Sequence, residues 1–295
     1  MNNNIKAVLL ALTASFCSVL MSVLLKLAQS DINVFTAGFL RFFFGFLIIL
    51  PFILNSQFKI YSTSNFKLHL TRSIIGVPMM ILGFAALMYI PLEQIKAIGF
   101  LSPIIVVILS VIILKEKIFL IRILALIIGF IGVIIILRPG IIEINIGAYM
   151  VLISGLMWST VIIITKFMSK EDTPMTILTY QYTFVSLFTF PLALIFWTNP
   201  SYESLLYTFI AAIVGTILHL CINSSYRLAD LSVIQPVWFT QLIFASTFGF
   251  IIFGEIPDGW TWAGGILVFS SVLIITYREN YLKKDIAKRS IPLKN

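Results

Sequence analysis

The chain has 295 residues, of which 60% are hydrophobic and only 11% are charged. Soluble domains average about 25% charged and 45–50% apolar residues, so this composition excludes a soluble domain and predicts an integral membrane protein. The net charge of +8 does not predict nucleic-acid binding, because the basic residues fall in short segments between apolar runs and in the tail. Two cysteines are too few for a disulfide framework or a metal site.

Ten apolar segments follow one another along the chain. A helix needs about 20 apolar residues to cross the hydrocarbon core, and lipid offers no partner to the backbone of an open strand. Turn-forming residues separate several segments, as at Asn199-Pro200. The predicted transmembrane helices cover 6–28, 36–54, 73–90, 94–114, 119–137, 147–168, 176–197, 205–228, 233–253 and 260–277.

The two halves of the chain repeat each other. At a shift of 140 residues Lys26 falls on Lys166 and Pro51 on Pro191. At a shift of 139 the matching pairs are Gly76 with Gly215, Glu116 with Glu255 and Val133 with Val272. Each half has an odd number of crossings, so the second enters the bilayer inverted relative to the first. We therefore predict an all-α membrane protein of two inverted five-helix repeats, at 1–139 and 140–278, with a basic tail at 279–295.

The basic residues predict how the helices are oriented. Ten crossings place both termini on one side, and only Lys26, Arg41, Lys96 and Arg138 of the 20 Lys and Arg residues fall on the other. Positively charged loops stay in the cytoplasm, so both termini are predicted to be cytoplasmic. The expected location is the bacterial cytoplasmic (inner) membrane.

Both halves carry related segments around their fourth and fifth helices. The first half contains IKAIGFLSP (95–103), LKEK (114–117) and GFIGV (129–133). The second half contains VIQPVWFTQ (233–241), FGEIP (253–257) and GG (264–265). This arrangement resembles the EamA-type members of the drug/metabolite transporter superfamily, which have ten helices in two repeats, over nearly the whole chain. Within that superfamily the chain is most similar to S-adenosylmethionine uptake transporters.

The resemblance implies a secondary transporter that imports S-adenosylmethionine by alternating access. Exchange against another substrate stays open, and so does transport of amino acids or other small metabolites in either direction. An intramembrane enzyme is disfavoured, because the spans hold no paired carboxylates and no cluster of metal ligands. We expect no cofactor, metal or catalytic residue. The expected partners are a small-molecule substrate and the lipid bilayer, not nucleic acid, and the sequence does not indicate the oligomeric state.

Polar residues recur on one face of the eighth predicted helix. Gly215, His219 and Asn223 are spaced by four residues, and His219 lies near the middle of the span. Polar groups in mid-membrane are costly and point to the interior of the bundle, so His219 and Asn223 are candidate substrate-binding residues. A packed histidine that bonds to a neighbouring helix is the alternative.

Three residues of the ninth predicted helix share another face. Gln235, Trp238 and Gln241 recur every three residues and suit a flat polar ligand through hydrogen bonds and stacking. Amide bonding between helices is the alternative. The equivalent face of the fourth helix offers Lys96, a candidate for a ligand carboxylate, beside smaller residues.

The remaining candidates come from three other helices. They are Ser18 on the first helix, Phe84 and Tyr89 on the third and Trp158 on the sixth. Trp158 and Trp238 could hold the sulfonium cation of S-adenosylmethionine against an indole face. Close packing is the alternative for the others. Arg41, near the outer end of the second helix, and Lys26 could also serve a ligand carboxylate; for Arg41 the alternative expectation is extension to the interface.

Overall fold

The computed structural model describes residues 3–99, 101–115, 120–137 and 145–254, together with 259–260, 263–264, 266–267 and 270–271. The regular structure within these residues is helical. The helices are α1 Asn3–Ala28, α2 Val34–Asn55, α3 Phe66–Ala85, α4 Leu92–Gly99, α5 Leu101–Leu114, α6 Leu120–Leu137, α7 Ile146–Met168, α8 Pro174–Ile195, α9 Tyr202–Leu228, α10 Leu231–Ile234 and α11 Thr240–Phe253. Single 3₁₀ segments follow at Lys59–Tyr61, Ala86–Met88 and Gln235–Phe239.

Within the described residues, seven segments are long and apolar enough to cross a membrane. They are Asn3–Ala28, Val34–Asn55, Phe66–Met88, Ile146–Met168, Pro174–Ile195, Tyr202–Leu228 and Leu231–Phe253. They correspond to the first three and the sixth to ninth predicted crossings, so a multi-pass membrane protein is confirmed. The fourth crossing is described as α4 and α5, and the fifth as α6. The tenth is described only in part, and Glu116, Glu255 and the tail at 279–295 lie outside the described residues.

Capping residues explain where several helices begin. Asn33 accepts hydrogen bonds from the backbone of Phe35 and Thr36 at the start of α2, and Ser201 caps α9 in the same way. Thr173 caps α8, whose first residue is Pro174. These side chains satisfy backbone N–H groups that have no partner within the helix.

The long helices pack in pairs that join the two halves of the chain. Helix α1 packs along α9 and α3 along α7, while α2 packs against α8. In each pair one helix comes from the first half of the chain and the other from the second. The exposed apolar side chains lie on the outer surface of this bundle, as expected of a protein surrounded by lipid.

The third helix begins earlier than the sequence predicts. It starts at Phe66 rather than at residue 73, so His69 and Arg72 lie within it and are buried. His69 bonds to Asp172, and Arg72 bonds to Thr165 and Gln181. A hydropathy pattern treats such residues as loop residues, because it cannot register partners supplied by distant helices.

Candidate functional site

A cavity of about 240 Å³ lies between the two halves of the bundle. Its wall includes residues of every long helix except α6, whose described side chains do not reach it. Eight of the ten sequence-derived candidates line it, namely Ser18, Phe84, Lys96, Trp158, His219, Gln235, Trp238 and Gln241. The structure therefore brings together residues that are up to 223 positions apart in the chain.

The other two candidates lie elsewhere. Tyr89 is 52% exposed and faces a separate surface pocket that also includes Lys26 and Phe253. Asn223 is buried one turn beyond His219, but it does not line the cavity. A spacing of four residues turns about 40° past a full helical turn and rises about 6 Å, so one stripe need not reach one cavity.

The 3₁₀ segment explains why residues spaced by three positions reach the same cavity. A 3₁₀ helix has three residues per turn, so Gln235 and Trp238 project to the same side. Pro236, in its first turn, lacks the N–H that an α-helix would use. The Trp238 ring meets Trp158 edge to face, with centroids 6.5 Å apart. Indoles and amides thus form one wall of the cavity.

Three buried polar groups lie close together behind this wall. They are the Tyr226 hydroxyl, the Gln235 amide nitrogen and the Trp238 indole nitrogen. Tyr226 does not line the cavity, so the polar ends of Gln235 and Trp238 lie near Tyr226 on the side of the wall away from the cavity.

His219 ends a chain of hydrogen bonds that crosses the bundle. Arg72 donates to the Gln181 carbonyl oxygen at 3.0 Å, which orients that amide. The Gln181 nitrogen then donates to His219 Nε2 at 3.2 Å, so the imidazole proton resides on Nδ1. His219 Nδ1 is buried and has no partner. The side chain is therefore held by the protein at one nitrogen and free at the other.

Arg41 is buried, contrary to the expectation that it extends to the interface. Only 1% of the residue is exposed, and it lines the cavity. Its Cζ lies 4.1 Å from the Phe42 ring centroid and 5.5 Å from that of Tyr182. The expected extension to the interface is wrong because the Arg41 guanidinium packs against Gly215 of α9, which has no side chain and leaves room inside the bundle.

The charge of the cavity is positive. Lys96 Nζ donates to Ser22 Oγ at 3.0 Å, and Arg41 lies on the same cavity wall. Of the residues that the structure describes, no aspartate or glutamate lines the cavity. A site built this way favours a neutral ligand or one with an anionic group.

Gln181 is a cavity residue that the sequence analysis missed. The repeat contains a signal that could have found it. At the shift of 140 residues Arg41 falls on Gln181, so the second and seventh predicted helices carry polar residues at equivalent positions within apolar runs. Polar residues at equivalent positions of the two repeats indicate that both side chains lie at a similar depth in the membrane and face the interior of the bundle.

At one end of the bundle lies what we call the Asp31 junction, formed by Asp31, Asn33, Thr36, Thr198, Ser201 and Ser204. The Asp31 carboxylate accepts hydrogen bonds from Ser201 N and Ser204 Oγ, both at 2.9 Å. Thr198 N donates to Thr36 Oγ1 at 3.1 Å. The α1–α2 loop is thereby tied to the start of α9, where a helix N-terminus favours a carboxylate.

At the opposite end lies what we call the Asp172 junction, formed by Thr63, Ser64, Asn65, His69, Glu171 and Asp172. Asp172 accepts hydrogen bonds from Thr63 Oγ1 at 2.7 Å and from Asn65 Nδ2 at 3.2 Å, and lies 3.1 Å from His69 Nε2. Here the α7–α8 loop is tied to the start of α3. The two junctions are separated by the length of α2.

Protonation of Asp31 is not expected to affect transport near neutral pH. The backbone N–H of Ser201, followed by the Ser201 and Ser204 side-chain contacts, holds the pKa of the Asp31 carboxyl below its ordinary value of 3.8. The ionised Asp31 carboxylate therefore stabilises the junction fully at pH values above its ordinary pKa. This stabilisation is lost only as the pH falls through the lowered pKa. We therefore expect Asp31→Asn to leave the shape of the pH profile of uptake unchanged between about pH 5 and 8. A profile displaced within that range would contradict this assignment.

A sequence profile described as the EamA-like transporter family matches the chain twice, at residues 5–138 and 145–277. A solved crystal structure covering 94% of this chain and 98% of its own superposes with a TM-score of 0.75 at 14% sequence identity, which shows a shared fold.

Curated relatives extend over most of the chain. An S-adenosylmethionine uptake transporter of Rickettsia prowazekii is 25% identical over 277 residues, which are 94% of this chain and 93% of the relative. A riboflavin transporter of Vibrio cholerae is 30% identical over 259 residues, or 87% and 86% of the two chains. A pseudopaline exporter of Pseudomonas aeruginosa is 22% identical over 275 residues, or 91% and 95%. The chain therefore belongs to the EamA-like transporter family, as a multi-pass membrane transporter and not an enzyme.

Proposed function

We propose that this protein is a secondary carrier of the bacterial cytoplasmic membrane that imports S-adenosylmethionine by alternating access. The observation that carries the proposal is the cavity between the two halves, lined by two indoles and by amide side chains. The resemblance of the whole chain to S-adenosylmethionine uptake transporters supports the substrate.

We propose ten crossings in two inverted five-helix repeats, at residues 1–139 and 140–278, followed by a basic tail at 279–295. The reciprocal pairing of α1 with α9 and α3 with α7 is what a two-fold axis in the membrane plane would produce. The junctions add further support. The ten-crossing scheme puts the α1–α2 and α8–α9 loops on one side and the α2–α3 and α7–α8 loops on the other, and these are the pairs that touch.

The two junctions support the proposal of alternating access. Each joins one half of the chain to the other, and both are formed in this structure. Opening the Asp31 junction alone would admit water and substrate from one side, and opening the Asp172 junction alone would release substrate on the other. With both termini cytoplasmic, the Asp31 junction faces outward.

The cavity offers partners for the parts of S-adenosylmethionine. Adenine can stack on Trp158 or Trp238 and bond to the amides of Gln235 and Gln241. The sulfonium can lie against an indole face, which contributes about 2 kcal/mol when the cation is desolvated. The cavity is smaller than the roughly 300–1,000 Å³ of typical ligand sites, so binding must widen it.

Riboflavin is the second candidate, and one observation favours it. No carboxylate of the described residues lines the cavity, so a cationic ligand finds no opposite charge there, whereas a neutral flat ring needs none. The riboflavin transporter of Vibrio cholerae, at 30% identity, makes this candidate concrete.

Uptake measurements separate the two candidates. The chain would be expressed in a bacterium that cannot import S-adenosylmethionine, and uptake of the radiolabelled compound followed with excess unlabelled S-adenosylhomocysteine, methionine or adenosine. We expect saturable uptake that the close analogue blocks and the two fragments do not. A parallel strain that requires external riboflavin tests the second candidate.

The outcomes are distinct. Absence of S-adenosylmethionine uptake, with protein present in the membrane, would contradict the first candidate. Rescue of the riboflavin-requiring strain would then establish the second. Full-rate uptake into vesicles that contain no substrate would exclude obligatory exchange.

A further inference from the structure

Arg41 is a charged residue of the cavity, and no carboxylate among the described lining residues balances its charge. We propose that Arg41 binds a carboxylate or another anionic group of the transported molecule. This inference rests on the proposed carrier function and specifies the chemical class of its substrate. Arg41 lines the cavity with 1% of its surface exposed, and its Nε and Nη1 donors are buried without a hydrogen-bond partner.

The surroundings of Arg41 fix its position without neutralising it. The guanidinium lies over the rings of Phe42 and Tyr182 and occupies the space beside Gly215. Its Nη2 contacts Met21 Sδ at 3.4 Å, a weak acceptor. The Nε and Nη1 atoms have no hydrogen-bond partner. Nε and Nη1 lie on different edges of the guanidinium, so each can donate to an anionic oxygen, and Nη1 forms the fork that matches a carboxylate or phosphate together with Nη2.

Arg72 shows what a structural arginine looks like in the same protein. It is 4% exposed, and its Nε donates to Thr165 Oγ1 at 2.7 Å and its Nη2 to Gln181 at 3.0 Å. Arg41 has no comparable partners. A buried guanidinium without an acceptor is strongly unfavourable, so its retention in the cavity calls for an anion that arrives with the substrate.

The repeat makes the anion site one-sided. Gln181 occupies the position equivalent to Arg41, but both ends of its amide are already engaged, by Arg72 and His219. The two indoles lie on the wall formed by α7 and the 3₁₀ segment. A ligand with a flat ring at one end and an acidic group at the other matches this division.

Analogue pairs that differ by one anionic group provide the test. We expect unlabelled S-adenosylmethionine to compete with the labelled compound at least about tenfold better than decarboxylated S-adenosylmethionine, which differs from it only by the carboxylate, since a charge-assisted hydrogen bond is worth about a factor of ten or more. Arg41→Met should lower uptake at least about tenfold and abolish the discrimination. Arg41→Lys keeps the charge without the fork and should retain part of both. Equal competition by the two analogues in the wild type would overturn the proposal.

Thermal unfolding of the purified full-length protein separates a binding role from a structural one. Without substrate, Arg41→Met should unfold at the wild-type temperature or higher, because it removes an uncompensated buried charge. Arg72→Met is the matched control and should unfold several degrees lower, because it removes the buried hydrogen bonds from Arg72 to Thr165 and Gln181. A decrease for Arg41→Met equal to that of Arg72→Met, with the wild-type pattern of competition, would also overturn the proposal.

Failure of the proposed substrate is distinguishable from failure of this inference. If the wild type takes up no S-adenosylmethionine, the second pair is riboflavin and its phosphate ester, FMN. A rise in unfolding temperature with FMN but not with riboflavin, absent in Arg41→Met, supports the anion site and rejects only the first substrate. A rise with riboflavin that persists in Arg41→Met rejects the anion site.

Discussion

Replacing Gly215 with alanine is expected to lower S-adenosylmethionine uptake at least about tenfold, because a displacement near 1 Å at a binding group can cost up to about a hundredfold. A Cβ added at Gly215 meets the Arg41 guanidinium, with Cζ at 3.0 Å, and Met21 Sδ at 3.1 Å. The arginine therefore has to move. Initial uptake rates and apparent KM would be measured in the same strain as for the wild type.

Gly76→Ala is the matched control. Gly76 is the repeat equivalent of Gly215, and a Cβ added there meets nothing within 4 Å. Uptake should stay close to wild type, while helix stability rises by about 0.5–1 kcal/mol. Combining Gly215→Ala with Arg41→Met should be no worse than Arg41→Met alone, since both act through one side chain. Equal losses in the two glycine variants would show that Arg41 displacement is not the cause.

The second large effect is expected from breaking the Asp172 junction. Asp172 is 5% exposed and accepts hydrogen bonds from Thr63 and Asn65 beside His69. Asp172→Ala removes these bonds and disfavours the closed junction by about 2 kcal/mol or more, which is roughly thirtyfold in the equilibrium. The cavity should then open at the end where α3 begins, and uptake should fall.

Accessibility of the cavity from each side checks this expectation. A cysteine at Ser18, in a chain where Cys17 and Cys221 are serine, would be labelled with a membrane-impermeant thiol reagent from either side. Asp172→Ala should increase labelling from the cytoplasmic side, and Asp31→Ala should increase it from the outside. Increased labelling from one and the same side in both variants would contradict alternating access through these junctions.

Several candidate residues could be found from the sequence because the local helix geometry alone decides which way they face. Gln235, Trp238 and Gln241 recur every three residues, and the 3₁₀ segment around Pro236 turns that spacing into one face. His219 was found because a polar group in mid-membrane has few places to go other than the interior. Such residues need no knowledge of a distant partner.

Other residues depend on contacts that the sequence does not show. Arg41 stays in the interior because Gly215, 174 positions later, leaves room for its guanidinium. A hydropathy pattern places His69 and Arg72 in a loop, because their partners, on α7, on α8 and in the loop between these helices, are about 100 positions away. Tyr89 does not line the cavity, because it follows the 3₁₀ segment after α3 and lies in a surface pocket with Lys26.

The sequence by itself determined the membrane class, the order of the apolar helices and the near-duplication of the two halves. Those properties follow from composition, from the length of apolar runs and from local periodicity, which act within a few helical turns. Only the tertiary structure decided which helices face each other, which polar groups find partners and which remain open to a ligand. Burial of a polar side chain depends on the atoms packed against it, and for Arg41, His69 and Arg72 many of those atoms come from the other half of the chain.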